Sequence, residues 1–169
     1  MTCDSIGPRQ VQLTIRDFAG NDSTCVTVIN VLDTINPIAL AADTTVYLDG
    51  SGSVSIDATY LNAGSYDNCN AGGLIFISDT VFTCTGVFQD TLVMIDGSGN
   101  TDTAYAMVTV LDTVAPTAVC IASPFTVYLD SNGVAALVAD SLDNGSTDNV
   151  GCSSLNFSVD IDTFYCADA

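Results

Sequence analysis

The segment Val31-Leu32-Asp33-Thr34-Ile35-Asn36-Pro37 returns as Val110-Leu111-Asp112-Thr113-Val114-Ala115-Pro116, at an offset of 79 (112 − 33). Both copies end an alternating apolar run on Asp-Thr and follow it with a proline, which cannot donate to a β-ladder and so stops the sheet. A strand, a break and a fresh start is the pattern of a joint between two units of an array. Internal repetition is therefore the first constraint on what this chain can fold into.

The flanks of the joint repeat as well. Val11, Leu13 and Ile15 alternate into the turn Arg16–Asn21, and Cys25–Val31 follows as a second alternating run. The same order returns as Leu92–Ile95, Asp96-Gly97-Ser98-Gly99-Asn100 and Tyr105–Leu111. Two alternating runs around an Asp-x-x-Gly-Asn turn predict a β-hairpin. After each joint, Thr45-Val46-Tyr47-Leu48-Asp49 matches Thr126-Val127-Tyr128-Leu129-Asp130, now at an offset of 81 (130 − 49). A glycine-containing turn and a polar loop come next: Asn62–Asn68 in one copy, Asp143–Asn149 in the other. About seven short strands per repeat, with turn signals every ~8–12 residues, predict tandem immunoglobulin-like β-sandwiches within an all-β chain.

On this register residues 33–111 are one complete repeat, 1–32 the C-terminal part of another, and 112–169 the N-terminal part of a third. Cys3 and Cys166 fall in the slot of Cys84. The chain reads as cut from a longer array, or as one that joins head to tail with copies of itself.

Composition agrees. All 20 acidic residues are Asp, the two bases are Arg9 and Arg16, and His, Lys, Glu and Trp are absent. The exposed helix formers are nearly missing, while Thr, Val, Ser and Gly favour strands and tight turns. A hydrophobic content of 48% argues against disorder despite a net charge of −18. That charge repels nucleic acid and anionic membrane surfaces. No apolar run approaches the ~18–20 residues that span a bilayer, and Met1–Ser5 carries no signal-peptide pattern. Without His there is no Ser-His-Asp or Cys-His arrangement, and without Lys no Schiff base or P-loop, so the expectation is a protein that is not an enzyme.

The VxVLDTxxP joint, the Asp-x-x-Gly-Asn hairpin and the Asp143–Asn149 loop followed by Cys152 resemble the hyalin-type (HYR-like) immunoglobulin-like repeats of long surface adhesins in Bacteroidetes-type bacteria. The resemblance covers essentially the whole chain. It implies a secreted, cell-surface stalk or filament with a mechanical role; the alternative is an adhesin module recognising a glycan or protein, with Tyr47 and Tyr128 as stacking candidates. It also implies that a cysteine after the joint pairs with one on a strand after the Gly-Asn turn. Cys120 and Cys25 are of these two types, and the matching positions in the complete repeat, Ala41 and Ala104, are both alanine. The seven cysteines fit a disulfide framework in an oxidising compartment. Cys69 and Cys84 lie close in sequence (84 − 69 = 15), as do Cys152 and Cys166 in the same slots (166 − 152 = 14), so Cys69–Cys84 and Cys152–Cys166 are the expected pairs. Cys3, Cys25 and Cys120 remain for links to a neighbouring copy or to further repeats.

Calcium is coordinated by six to eight hard oxygens. Asp143, Asn144, Asp148 and Asn149 offer several in one loop, and Asp67 and Asn68 are the counterparts of Asp148 and Asn149. The joints add Asp33 and Asp112, and the turns after the Tyr-Leu strands add Asp49 and Asp130. Two readings stand for this set: calcium ligands that stiffen the joints, or turn residues capping their own backbone.

Overall fold

The computed structural model describes residues 5–69, 73–152 and 154–168. It is all-β. Among the described residues the strands are β1 (Gly7–Arg16), β2 (Asp22–Val31), β3 (Thr44–Tyr47), β4 (Val54–Ser55), β5 (Leu74–Ile77), β6 (Val81–Phe82), β7 (Gly86–Ile95), β8 (Thr101–Leu111), β9 (Val134–Ala136) and β10 (Thr163–Tyr165). The helical segments are single 3₁₀ turns, among them Ala58–Tyr60, Ala139–Leu142 and Cys166–Asp168. No helix among these residues is long and apolar enough to cross a membrane. Among the described residues of 33–111 there are six strands, where about seven are expected, and the isolated bridges Ile38–Tyr66 and Ala41–Asn62 hold the opening segment.

The chain divides into two compact units. The first is built from Met1–Thr44, Ile56–Thr80 and Phe88–Val108, the second from Thr45–Ser55, Val81–Val87 and Thr109–Ala169. Each unit holds residues from both sides of one Asp-Thr-x-x-Pro joint.

In the first unit β1 and β2 form a long antiparallel hairpin, Gly7 opposite Val31 and Arg16 opposite Asp22. β7 occupies the positions of β1 at the repeat offset of 79 (86 − 7), and β8 those of β2 (101 − 22). The turns are built alike. Asp17 Oδ1 accepts from Asn21 N at 2.8 Å and Oδ2 from Asn21 Nδ2 at 2.7 Å; Asp96 and Asn100 repeat both contacts at 2.7 Å. Gly20 and Gly99 take φ of 93° and 89°, a left-handed conformation open to glycine. The hairpin is thus encoded locally, by the Asp and Asn at its turn.

Burial separates the two copies. β7 pairs with β5, Leu74 opposite Ile95 and Ile77 opposite Leu92, and the inward positions of β7 and β8 hold Leu92, Met94, Ala106 and Val108. Pro37, Ala39, Ile56 and Leu61 are further buried apolar residues of the unit. Leu92 and Val108 are 0% exposed, whereas the same slots in β1 and β2, Leu13 and Ile29, are 58% and 46% exposed. Among the described residues β1 and β2 pair only with each other. Asp90 is also fully buried: its Oδ1 accepts from the backbone of Ser78, Asp79 and Thr91 and from the Ser78 hydroxyl, closing the loop after β5.

In the second unit Leu48 N donates to Leu111 O at 2.9 Å, continuing the pairing of β3 with β8, and β4 pairs with β6 through Val54 and Phe82. Val46, Leu48, Phe82, Val110, Ala135 and Val150 are its buried apolar residues. The third repeat reproduces part of this: β9 pairs with β10, Ala135 opposite Phe164, as Val54 lies opposite Phe82. The bridges Thr117–Thr147 and Cys120–Asp143 mirror Ile38–Tyr66 and Ala41–Asn62. The expected strand at Thr126–Leu129 is not formed; its counterpart β3 pairs with β8, and among the described residues no strand pairs with 126–129.

Equivalent truncations should therefore cost very different amounts. Leu92→Ala should destabilise by ~2–5 kcal/mol, while Leu13→Ala in the monomeric chain should stay within about 0.5 kcal/mol. Urea unfolding of the two variants checks the contrast.

Candidate functional site at the repeat joints

At the first joint the chain leaves β2, and Asp33 caps the bend by accepting from Ile35 N at 3.2 Å through Oδ1. Two later elements of the repeat that Asp33 opens close on it. The polar loop brings Asp67 and Asn68, whose Nδ2 lies 3.5 Å from Asp33 Oδ1. The β7–β8 turn brings Asn100, whose Nδ2 donates to the Asp33 carbonyl at 3.2 Å, and with it Asp96. One carboxylate oxygen from each of Asp33, Asp67 and Asp96 lies within 4.8 Å of the others. Asp33 Oδ2 and Asp67 Oδ1 are buried with no hydrogen-bond partner.

Asp96 is 6% exposed. Burial works to raise its pKa, but donation from the Asn100 side chain, then from the backbone of Asn100, Ser98 and Gly99, outweighs this and holds the carboxyl below its ordinary value. Three carboxylates this close repel one another unless a cation or proton lies between them.

The second joint repeats the plan as far as the sequence extends. Asp112 Oδ1 accepts from Val114 N at 3.0 Å and from Asn149 Nδ2 at 3.3 Å. Asn149 Nδ2 also donates to the Asp49 carbonyl at 2.9 Å, which ties the third repeat to the turn after β3. A Cβ on Gly52, in that turn at φ 76°, would stand 1.9 Å from the Asn149 carbonyl oxygen, so only glycine permits the approach. Asp148 Oδ1 and Asn149 Oδ1 are buried without partners, as at the first joint.

The expected ligand set therefore divides. Asp33, Asp67 and Asn68 meet at one joint, and Asp112 and Asn149, with Asp148 beside Asn149 in the loop, belong to the next. The carboxylates of Asp49, Asp130 and Asp143 and the Asn144 side chain do not join them, although the Asp49 carbonyl accepts from Asn149. Asp49 Oδ1 accepts from Ser51 N at 2.8 Å and Asp130 Oδ1 from Asn132 N at 2.8 Å, each closing its own turn. Asp143 Oδ1 accepts from Ser146 N at 2.9 Å, and the Asn144 side chain is exposed. Asp96 is legible in the sequence only as a turn residue. The one available signal is that its turn recurs on the side of the hairpin that leads to the joint.

The cysteines differ most from expectation. Cys84 is bonded to Cys152, 68 residues away with a Cα–Cα distance of 5.5 Å, and not to Cys69. Cys166 is a free, exposed thiol and not the partner of Cys152. The short spacings suggest small local loops. Instead the segment after β6 delivers Cys84 to the turn after Val150, which Asn149 anchors on Asp49 and Asp112. The bond thus joins the complete repeat to the third. Cys69 is itself disulfide-bonded. Cys25 and Cys120 are free and exposed; Cys3 lies outside the described residues.

Two measurements follow. Replacing Cys84 and Cys152 together by Ser releases a closure with a sequence separation of 68 and should cost about 4 kcal/mol by chain entropy, read from urea unfolding. The turn carboxylates of Asp17, Asp49, Asp96, Asp130 and Asp143 all have lowered pKa values in the folded chain. A depressed folded pKa gives stability that is present above the unfolded value of ~3.9 and is lost as pH falls through the folded value. The melting temperature should hold from neutrality to about pH 5 and then fall steeply towards about pH 2.

No family model matches the chain. It is similar, at 23% identity over 117 residues, to an uncharacterised 81.3 kDa protein of Acholeplasma phage L2. The match covers 67% of this chain and 16% of the phage protein, so the chain spans about a sixth of that relative's length.

Proposed function

We propose that this chain is a segment of an extracellular structural array: tandem immunoglobulin-like β-repeats, secreted to a cell surface, whose role is length, stiffness and protease resistance rather than catalysis. The observation that carries this reading is the Cys84–Cys152 bond, which fastens one repeat to the next instead of stapling a single repeat. Covalent links across a joint resist being pulled apart, and they persist in an oxidising, extracellular setting. Beads of ~80 residues bury only about 60–65% of their surface, so external fastening matters to them.

Calcium is the second element of the reading. The Asp33, Asp67 and Asp96 cluster offers hard oxygens only, with no nitrogen or sulfur ligand, and two of its carboxylate oxygens are orphaned in a buried position. That donor set fits calcium, with backbone carbonyls and water completing the coordination, and does not fit zinc. Calcium would supply the positive charge the three carboxylates lack. The chain's own contribution is to position them from three elements: Asp33 by the bend at the joint, Asp67 by the polar loop, Asp96 by the hairpin turn.

Thermal melts with calcium or with chelator test the proposal. With calcium at about a hundred times its Kd, the chain should gain roughly 2.7 kcal/mol. The variant Asp33→Asn with Asp67→Asn should lose that gain while keeping its chelator-state melting temperature or raising it. A melt indifferent to calcium would remove the cation from the reading and leave the disulfide as the fastening.

A further inference from the structure

We propose that the turn at 49–52 and the Asp112 carboxylate form a seat for the loop 149–152, and that this seat selects Cys152 as the partner of Cys84 when the chain is oxidised. The inference rests on the Cys84–Cys152 fastening described above and goes on to name the residues that specify it.

Chain proximity favours other pairs. Cys69 stands 15 residues from Cys84 (84 − 69) and Cys166 stands 14 from Cys152 (166 − 152), against a separation of 68 for the bond that forms. Closure becomes less probable as about the 3/2 power of loop length, so the longer loop starts at a disadvantage of roughly tenfold against either short one. The folded chain must offset that factor and add a preference of its own.

The contacts of Asn149 supply it, and every group concerned lies in the second compact unit. Asn149 Nδ2 donates to the Asp49 carbonyl at 2.9 Å and to Asp112 Oδ1 at 3.3 Å. Its two hydrogens serve the two acceptors separately. The loop backbone lies flat on Gly52, where an added Cβ would run into the Asn149 carbonyl. The turn beneath is rigid: Ser51 N donates to Asp49 Oδ1 at 2.8 Å and Gly52 N to the Asp49 carbonyl at 2.9 Å. Val150, next in the loop, is buried. Two residues further on, Cys152 Sγ lies 3.7 Å from the carbonyl oxygen of Thr83, the neighbour of Cys84.

The competing cysteines are held by their own surroundings. Cys166 N donates to the Gly133 carbonyl at 3.1 Å, and its Sγ lies against Gly133 in the turn at 130–133. Cys69 N donates to Asp67 Oδ2 at 2.9 Å within the polar loop of the first unit.

With glutathione disulfide as oxidant, the Cys152 thiolate attacks the glutathione bond, forming a mixed disulfide and releasing one glutathione thiolate. The Cys84 thiolate then attacks the Cys152 sulfur and releases the second, so two protein thiols and one glutathione disulfide give one protein disulfide and two glutathione thiols. The seat acts on the second step. Cys84 and Cys152 react; Gly52 and Asn149 position them.

The test is oxidation of the reduced full chain in a glutathione redox buffer. The equilibrium constant of the Cys84–Cys152 pair is read by alkylation and peptide mapping, and urea unfolding of each reduced variant reads its fold separately. Asn149→Asp removes both donations and sets a second carboxylate beside Asp112. It should lower the constant roughly tenfold and move Cys84 and Cys152 into Cys69–Cys84 and Cys152–Cys166 links. Asn149→Ala, without the added charge, should act in the same direction. Gly52→Ala should match Asn149→Asp, whereas Gly50→Ala in the same turn, whose Cβ would meet nothing within 4 Å, should change neither the constant nor the pairing. Unchanged pairing in the Asn149 and Gly52 variants, or an equal loss in Gly50→Ala, would overturn the seat and leave the fastening standing. A wild-type chain that yields Cys69–Cys84 with Cys152–Cys166 would remove the fastening itself, and the seat with it.

Discussion

A repeat of this kind is finished only when a two-stranded hairpin lies between its β3-type and β5-type segments. Backbone donors and acceptors in a strand must be paired, and an isolated short strand has nothing to pair with. Where the β7–β8 hairpin is seated, β3 and β5 exist and the apolar face of the hairpin is buried. Among the described residues after Pro116, segments 125–128 and 155–158 form no strand, although β9 and β10 pair. The hairpin itself does not depend on its flanks: the Asp17–Asn21 and Asp96–Asn100 turns have the same hydrogen bonds in exposed and buried settings.

The joints carry the second constraint. Each places carboxylate or amide oxygens in a buried position without partners, at Asp33 and Asp67 and again at Asp148 and Asn149. Buried unpaired carboxylates are unfavourable unless something offsets their charge. At the first joint Asn100 reaches back to Asp33 within one repeat, and at the second Asn149 ties Asp112 to Asp49 of the preceding repeat. The Cys84–Cys152 bond adds a covalent fastening of the same kind. Of these contacts, Asn149 to Asp49 and Cys84 to Cys152 link residues before the second Asp-Thr-x-x-Pro segment to residues after it.

Much of this is legible in the sequence because it is local. The period, the hairpins, their turns and the position of the joints all follow from alternation, from Asp-x-x-Gly-Asn and from the proline after Asp-Thr. The strand expected at Thr126–Leu129 fails because a propensity for extended backbone does not supply a partner strand. The expected disulfides fail because spacing along the chain reports loop entropy, whereas pairing depends on which elements meet in space. Cys69 and Cys84 are near in sequence, but the turn after Val150 is what reaches Cys84. Asp96 reads as a turn former, which it is; that its turn also approaches Asp33 is tertiary information.

The most direct test of fastening across the joint is a peptide map of the non-reduced, alkylated chain. A Cys84–Cys152 linked pair is expected, with Cys166 recovered as an alkylated thiol. Recovery of Cys69–Cys84 together with Cys152–Cys166 would mean that each repeat is stapled only to itself, and would contradict fastening across the joint.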